Sequence, residues 1–513
     1  MALFGLALSA GTATAGERVL RVLLRSEPET FDPHLVDSSQ EFDIMFELLE
    51  GLTVHDATGH VAPGSAESWE ISPDGLLYTF HLRSDAQWDD GTPVTADQFV
   101  ASARRWVDPK TASGYTAPIE SVENAEAILR GGKAPAEIGV AAPDPHTVLI
   151  RMARPDPYLI GIATDILQPI RQDVIDRWGR GWTRPGHMPS NGPFVLSEWI
   201  PQGHITLTRN PHYRAAAAVQ LDQIVFIPAD PEAALKMYAT QEIDIVRLQA
   251  RQYLEALKLA PDAVDSEPIS GNFYLQLNNA AAPLSDRRVR RALALALDQR
   301  TLYGQIAPGT ARPGFSLVPV QLRYPVSADE DFKDMTMPDR IAEAKRLMAE
   351  AGYGPDHRAA VSFCYATSGN RSIPQAIQQM WETSLPVQVK LVGEEFQAWI
   401  HDRDNFDISI DGVQLGDDPL VYVSAFRSDR PNQFSIPGYA NATVNELLDK
   451  AESQVDVAAR ADFLARAETL LLADQPVIPI GSQLIDTLVS PRLHGWHPSD
   501  GDHHPLSLIS LEP

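Results

Sequence analysis

The residues best able to hold a metal lie near the C-terminus, where His494, His497, His503 and His504 stand among Asp500 and Asp502. Imidazoles and carboxylates at such short spacing are ligands for Zn or Ni. A polar surface loop explains the same residues more simply, and no metal is assigned. The single cysteine, Cys364, lies in Val361-Ser362-Phe363-Cys364-Tyr365. That strand-like run predicts a core position rather than a redox or nucleophilic one. One cysteine permits no internal disulfide. Catalytic signatures are missing, with no HExxH, Gly-x-Ser-x-Gly, P-loop or dinucleotide-binding glycine pattern. Triads assemble from distant residues, so this lowers the weight of an enzyme rather than removing it. No cofactor is expected.

The elements that would position any site are strands mixed with helices. Tyr78, Phe80 and Leu82 alternate with Thr79 and His81 as a half-buried strand, and Asp90-Gly91 supplies a turn. Thr95 to Gln98 is a capping box that opens an amphipathic helix from Phe99 to Trp106. Phe273, Leu275 and Leu277 mark a second strand, followed by a helix capped by Ser285 with Val289, Ala292, Leu293 and Ala296 on one face. Another helix runs from Asp339 to Ala351, burying Ile341, Ala344, Leu347 and Met348, and stops at Gly352. Val387, Val389 and Leu391 form a strand leading into a helix around Phe396 to Ile400. This intermixture argues for an α/β fold. No internal repeat stands out, and the 40 prolines are scattered as loop punctuation.

A chain of 513 residues suggests two or three domains. A formal charge of −26 argues against nucleic acid or an anionic membrane as partner. Solubility explains most of that charge. Ala2 to Ala10 is apolar, and Ala13-Thr14-Ala15 has the form of a signal-peptidase site, so residues 1–15 read as a cleaved leader. No Lys or Arg precedes the apolar stretch, so the usual positive region is missing. About nine apolar residues are too few to span a bilayer, and no later segment qualifies. No cysteine follows the leader, so a lipid anchor is not expected.

Several motifs recur in a known order. Ala66-Glu67-Ser68-Trp69, Tyr78 to Arg83 and Asp90 to Ala96 come with Phe31-Asp32-Pro33-His34, Asn191-Gly192-Pro193-Phe194, Arg209 to Tyr213, Glu242-Ile243-Asp244 and Asp286 to Arg290. In register, from about Arg18 to Trp496, they resemble the peptide/nickel-type solute-binding proteins of bacterial ABC importers, most closely periplasmic oligopeptide-binding proteins.

The resemblance implies a two-lobed fold of the type II periplasmic-binding-protein kind, with an inserted domain and a hinge crossed twice. Lobe 1 would comprise 16–50, 171–270 and 486–513, and the inserted domain 51–170 would pack on it. Residues 271–485 would form lobe 2. Crossings near 270 and 486 would make the hinge. Several relatives bridge neighbouring strands of the two lobes by a disulfide, and here Gly271 and Gln414 take those positions.

It also implies a site. The ligand would lie extended between two strand-like segments, Asp37-Ser38-Ser39 and Gly412-Val413-Gln414, bonding main chain to main chain. The relatives' aspartate for the ligand's α-ammonium group falls on Gly416 if no gap precedes it, and on Asp417 if the one-residue deletion lies later. Asp417 is favoured, because a buried ammonium needs a carboxylate. Asp418, before Pro419, reads as a turn residue. Arg403 and Arg371 match cations that meet ligand carboxylates, and Tyr115 matches an aromatic contact. Ile410 and Val413 replace an arginine and a tryptophan, so one wall of the pocket is altered.

The function so implied is periplasmic capture of short peptides by a monomer and delivery to an inner-membrane permease. The alternative is the same carrier role for a modified peptide, opine, glycoside or metal chelate. A hydrolase and a periplasmic chaperone are lesser rivals.

Overall fold

The computed structural model describes residues 17–36, 38–57, 59–160, 167–322, 326, 328–414, 418–430, 435–497 and 504–512. The leader, Asp37, Gly416, Asp417 and the 498–503 part of the histidine-rich tail fall outside them.

The largest sheet among the described residues has 11 strands. Ten follow in hydrogen-bonded order: Val387–Glu394, Ala359–Ala366, Ile408–Gln414, Val264–Leu277, Val477–Val489, Ile245–Arg247, Val19–Leu24, Gln223–Pro228, His204–Arg209 and Phe194–Ile200. Ala311–Pro313 pairs off this path with Val477–Val489. The two long central strands carry the sheet from one half to the other. Their register breaks between Pro268 and Asn272, where Pro268 faces Leu484 and Asn272 faces Ser482. The break puts a bulge and a local bend near residue 270.

A separate sheet of order Ala66–Ile71, Leu77–Leu82, Thr147–Arg151, Val140–Asp144 lies within the expected inserted segment. The Ala96–Val107 helix buries Phe99, Val100, Ala103 and Trp106. Gln98 Oε1 accepts from the Thr95 N–H at 2.9 Å, as the capping pattern predicts. One apolar cluster joins this sheet to Leu20, Ile44, Phe194, Ile224 and Leu511, so the insertion shares a core with the elements around it. Leu275, Val289, Trp381 and Ile408 belong to a second cluster, and Val318, Tyr422, Leu448 and Leu471 to a third.

Three local readings change. The helix after Leu277 is Arg287–Leu295, and its cap is Asp286, which accepts from the Arg288 N–H, rather than Ser285. The helix expected from Asp339 begins at Met337 under a Thr336 cap, and it buries Arg340, with Ile341 and Leu347 only half-buried. Gln276 is buried alongside Leu275 and Leu277 although it lies on the opposite face of the strand, and its Nε2 donates to the Asp404 carboxylate at 2.7 Å.

Candidate functional site

The Ile408–Gln414 strand pairs along its whole length with Val264–Leu277, from Leu277 opposite Ile408 to Gly271 opposite Gln414. On its other side the Ala359–Ala366 strand meets only Ile408 and Ser409. From Ile410 to Gln414 that edge has no partner strand among the described residues. An open edge can take on another strand by main-chain hydrogen bonds. Gly412 and Gln414 are exposed there, and Val413 is half-buried. A Cβ on Gly412 would sit 2.7 Å from the Phe273 ring, and one on Gly271 would sit 2.9 Å from the Gln483 amide. The Gln483 Nε2 also lies 3.1 Å from the Cβ position of Gly412 and donates to the Asn272 carbonyl at 3.2 Å. One amide thus fills the space that both glycines leave open.

In the second expected segment, Ser38 and Ser39 are not in a strand. Ser38 is extended and caps the Ser39–Leu48 helix, with its Oγ accepting from the Glu41 N–H while Glu41 accepts from the Ser38 N–H. Ser39 is exposed in the first helical turn. The Ser38-x-x-Glu41 spacing is a capping box, a signal present in the sequence. Tyr115 is 44 % exposed and meets Phe42 of the same helix edge-on, with centroids 5.8 Å apart. Its carbonyl accepts from the Trp106 indole at 2.9 Å. Ser39 and Tyr115 therefore share a neighbourhood.

The expected cations do not behave alike. Arg403 donates to the Asp411 carboxylate at 2.6 Å and lies over the Trp399 ring. Asp411 also accepts from the Gly412 N–H and is raised in pKa mainly by burial. Arg371 is exposed just before the Ser372–Ser384 helix, with its Nε donating to the Thr367 carbonyl. Asp418 is more than a turn residue. It caps Pro419–Ser424 by accepting from the Leu420 N–H, and it pairs with Arg460 at 2.9 Å. Burial pushes its carboxyl up to about 6 despite that partner. Arg460 in turn lies over the Tyr158 ring at 4.9 Å.

Two further arginines were missed. Arg25 follows the Val19–Leu24 strand and Arg247 ends Ile245–Arg247. They line a cavity of about 90 Å³ together with Gln40, Asp43, Trp496 and His504. The Glu242-Ile243-Asp244 landmark ends three residues before Arg247 and is the nearest signal to it in the sequence.

One group of Asp, His and Ser imitates a triad. The His34 Nε2 lies 3.0 Å from the Ser102 Oγ, and Asp32 is 3.9 Å from the other ring nitrogen. Arg105 and the Trp182 indole already hold Asp32, and all three triad-like residues are buried. Burial pushes His34 down to about 3, so the ring is neutral near pH 7. This is a buried network in which Asp32 is held by Arg105 and Trp182. Among the described residues, no three His, Cys, Asp or Glu side chains are grouped to hold a metal. In the tail, His504 pairs with Glu267 at 3.1 Å and stacks on Trp496, while His494 pairs with Glu512. Nor is any helix among them long and apolar enough to cross a membrane.

Comparison with known proteins follows this geometry. The family model for bacterial extracellular solute-binding proteins, family 5 Middle, matches residues 60–434. The periplasmic murein peptide-binding protein MppA of Escherichia coli K12 is 32 % identical over 497 residues, covering 95 % of this chain and 91 % of its own. The periplasmic oligopeptide-binding protein OppA of that strain is 30 % identical, covering 96 % and 92 %. A probable deoxycholate-binding periplasmic protein, YgiS, also from that strain, is 31 % identical, covering 96 % and 93 %. The solved unliganded open form of MppA superposes with a TM-score of 0.87 at 30 % identity, covering 97 % of this chain and 98 % of that one. Haemophilus influenzae OppA in complex with RPPGFSPFR gives 0.75 at 29 % identity, covering 97 % and 99 %.

Proposed function

Because the chain belongs to the bacterial extracellular solute-binding proteins of family 5, we propose that it is the peptide-capturing component of an ABC importer. It works in the periplasm after its leader is cleaved, as a monomer, and hands its ligand to an inner-membrane permease. The observation that carries the peptide assignment is the open edge from Ile410 to Gln414. Such an edge reads backbone rather than side chains, which suits a carrier of varied short peptides. The similarity to periplasmic relatives named for murein peptides and oligopeptides supports the same reading.

In this reading residues 271–485 form one lobe and the remainder, with the 51–170 insertion, the other. Separate apolar clusters and the register break near residue 270 support a hinge there. Gly412, Val413 and Gln414 bind the ligand backbone, Ser39 and Tyr115 approach it from the other lobe, and Asp417 meets its α-ammonium group. Arg371 supplies a cation, whereas Arg403 is held back by Asp411. Binding favours the closed arrangement and involves no covalent step.

The test is incubation with a mixed library of peptides two to six residues long, followed by mass and by melting temperature. A peptide at 100 times its Kd stabilises the fold by about 2.7 kcal/mol. Intact, retained peptides and a raised Tm are the expected result, and catalytic loss of any peptide would overturn the carrier assignment. The second reading, a non-peptide solute, is favoured by the 31 % identity to the probable deoxycholate-binding relative. Native mass spectrometry of the co-purifying ligand separates the two.

A further inference from the structure

The hairpin that joins Ala66–Ile71 to Leu77–Leu82 touches the turn between the Ala442–Glu452 and Val457–Asp474 helices. Gly75 is buried in that hairpin, and a Cβ on it would lie 3.1 Å from Val455 Cγ1 and 3.4 Å from Pro155 Cβ. Asp156 fixes the segment beside it. Its carbonyl accepts from the Tyr78 hydroxyl at 2.7 Å, and its carboxylate accepts from the Tyr158 N–H at 3.1 Å. The Arg460 guanidinium lies over the buried Tyr158 ring at 4.9 Å. Asp418 holds Arg460 in place at 2.9 Å. Tyr78 and Leu159 belong to one apolar cluster, Val423 and Leu464 to another, so both contacts cross between separate cores. One side lies in residues 51–170 and the other in 271–485, which move as different bodies in the carrier reading.

A contact between two bodies favours whichever arrangement contains it. The chain superposes better on the unliganded open form of MppA, at 0.87, than on peptide-bound OppA of Haemophilus influenzae, at 0.75, although the identities are nearly equal. The contact is thus found in an arrangement like the open one. A cation over a ring and a few apolar atoms are weak enough for a ligand to overcome. The charge of Asp156 acts on Asp418 across the same boundary, and that repulsion eases release. We propose that Arg460 on Tyr158, together with Val455 on Gly75 and Pro155, is a clasp that ties the insertion to the far lobe and opposes closure. It lowers affinity for every ligand, because an apparent Kd is the intrinsic one divided by the fraction able to close. The proposal rests on the two-lobed carrier reading above.

The test combines small-angle scattering of the ligand-free full chain with calorimetric titration by Ala-Ala-Ala. Tyr158→Leu keeps apolar bulk beneath the guanidinium, and Val455→Ser changes a position that is 39 % exposed. Each should be more compact than wild type without ligand and should bind roughly two- to thirtyfold more tightly. A damaged fold would bind more weakly, so the direction separates a clasp from a purely structural contact. The Gly75→Cys, Val455→Cys double variant shuts the clasp reversibly, since the facing positions are near enough for a disulfide. Its oxidised form should bind at least about twofold more weakly than its reduced form. This comparison within one protein is decisive where a single variant fails to fold. Equal affinity of the oxidised and reduced forms, with binding unchanged or weakened in the single variants, overturns the clasp. If Ala-Ala-Ala binds no form, the peptide reading fails and scattering decides the clasp, which equal radii of gyration in wild type and variants would overturn.

Discussion

Gly271 stands directly across from Gln414 on adjacent antiparallel strands, with the Gln483 amide in the space that a Cβ on Gly271 would need. Facing residues in such a pair have Cα atoms about 4.5–5.5 Å apart, inside the range of a disulfide. The obstacle is the end of a flexible side chain rather than backbone. The bridge carried by related proteins should therefore form here in the Gly271→Cys, Gln414→Cys double variant. It should add about 2–4 kcal/mol, seen as a melting shift reversed by reductant. A bond that forms by mass yet leaves the melt unchanged would mean that the strands are already locked together.

Asp411→Asn should release Arg403. With its partner gone, the guanidinium can meet a ligand carboxylate at about 1.5–3 kcal/mol, or roughly ten- to a hundredfold. The ratio of free-acid to amidated peptide affinity should rise by that factor. Arg403→Gln in the Asp411→Asn background should return it to the wild-type value. If Arg403→Gln alone already weakens binding of the free acids strongly, the pairing does not mask the arginine.

Asp417 and Asp418 should separate by readout. N-acetylation of a tight peptide should weaken wild-type binding strongly and barely matter in Asp417→Ala, where the ammonium has already lost its partner at roughly 3–5 kcal/mol. Equal binding of acetylated and free peptides by the wild type would sink that role. Asp418→Ala instead removes a helix cap and leaves Arg460, with 3 % of its side chain exposed, without its carboxylate. It should cost about 2–4 kcal/mol in denaturant unfolding, and Asp418→Asn, which keeps a capping oxygen, should cost less.

Stability should fall as the pH rises toward 8. Glu468 is fully buried, accepts from the Leu317 and Val318 N–H groups on one oxygen, and is pushed up to about 8 by burial. A carboxyl whose folded pKa exceeds its unfolded value binds its proton more tightly in the native state. Its contribution is whole below the unfolded value of 4.5 and is lost as pH rises through about 8. Within that window the slope reaches about 1.4 kcal/mol per pH unit. Melting curves from pH 5 to 8 should show Glu468→Gln with a flatter dependence than wild type. An unchanged slope would place the titration elsewhere.

The parts of the fold set by short-range rules were legible in the sequence. The Thr95–Gln98 cap, the Leu77–Leu82 strand and the position of Gly412–Gln414 in a strand all follow from spacing or from aligned motifs. The buried arginines were not legible, because a charged residue reads as surface. Arg340 satisfies the carbonyls of Ala294, Leu295 and Leu297 at the end of another helix, and only the fold brings those groups together. Arg403 and Asp411 are eight residues apart, too far for a helical pair, and become partners only where helix turns into strand. At Ser38 the local chemistry of Ser38-x-x-Glu41 specifies a helix cap rather than a strand.

Cys364 is the sole thiol of the chain, buried in the Ala359–Ala366 strand and pushed up to about 11 by burial. A thiol that is neither accessible nor ionised is slow toward maleimides. The native protein is thus a ready background for site-specific dyes, with no cysteine to remove first. A donor and an acceptor at one exposed position in each half of the large sheet would turn any ligand-driven rearrangement into a change in energy transfer, read one molecule at a time.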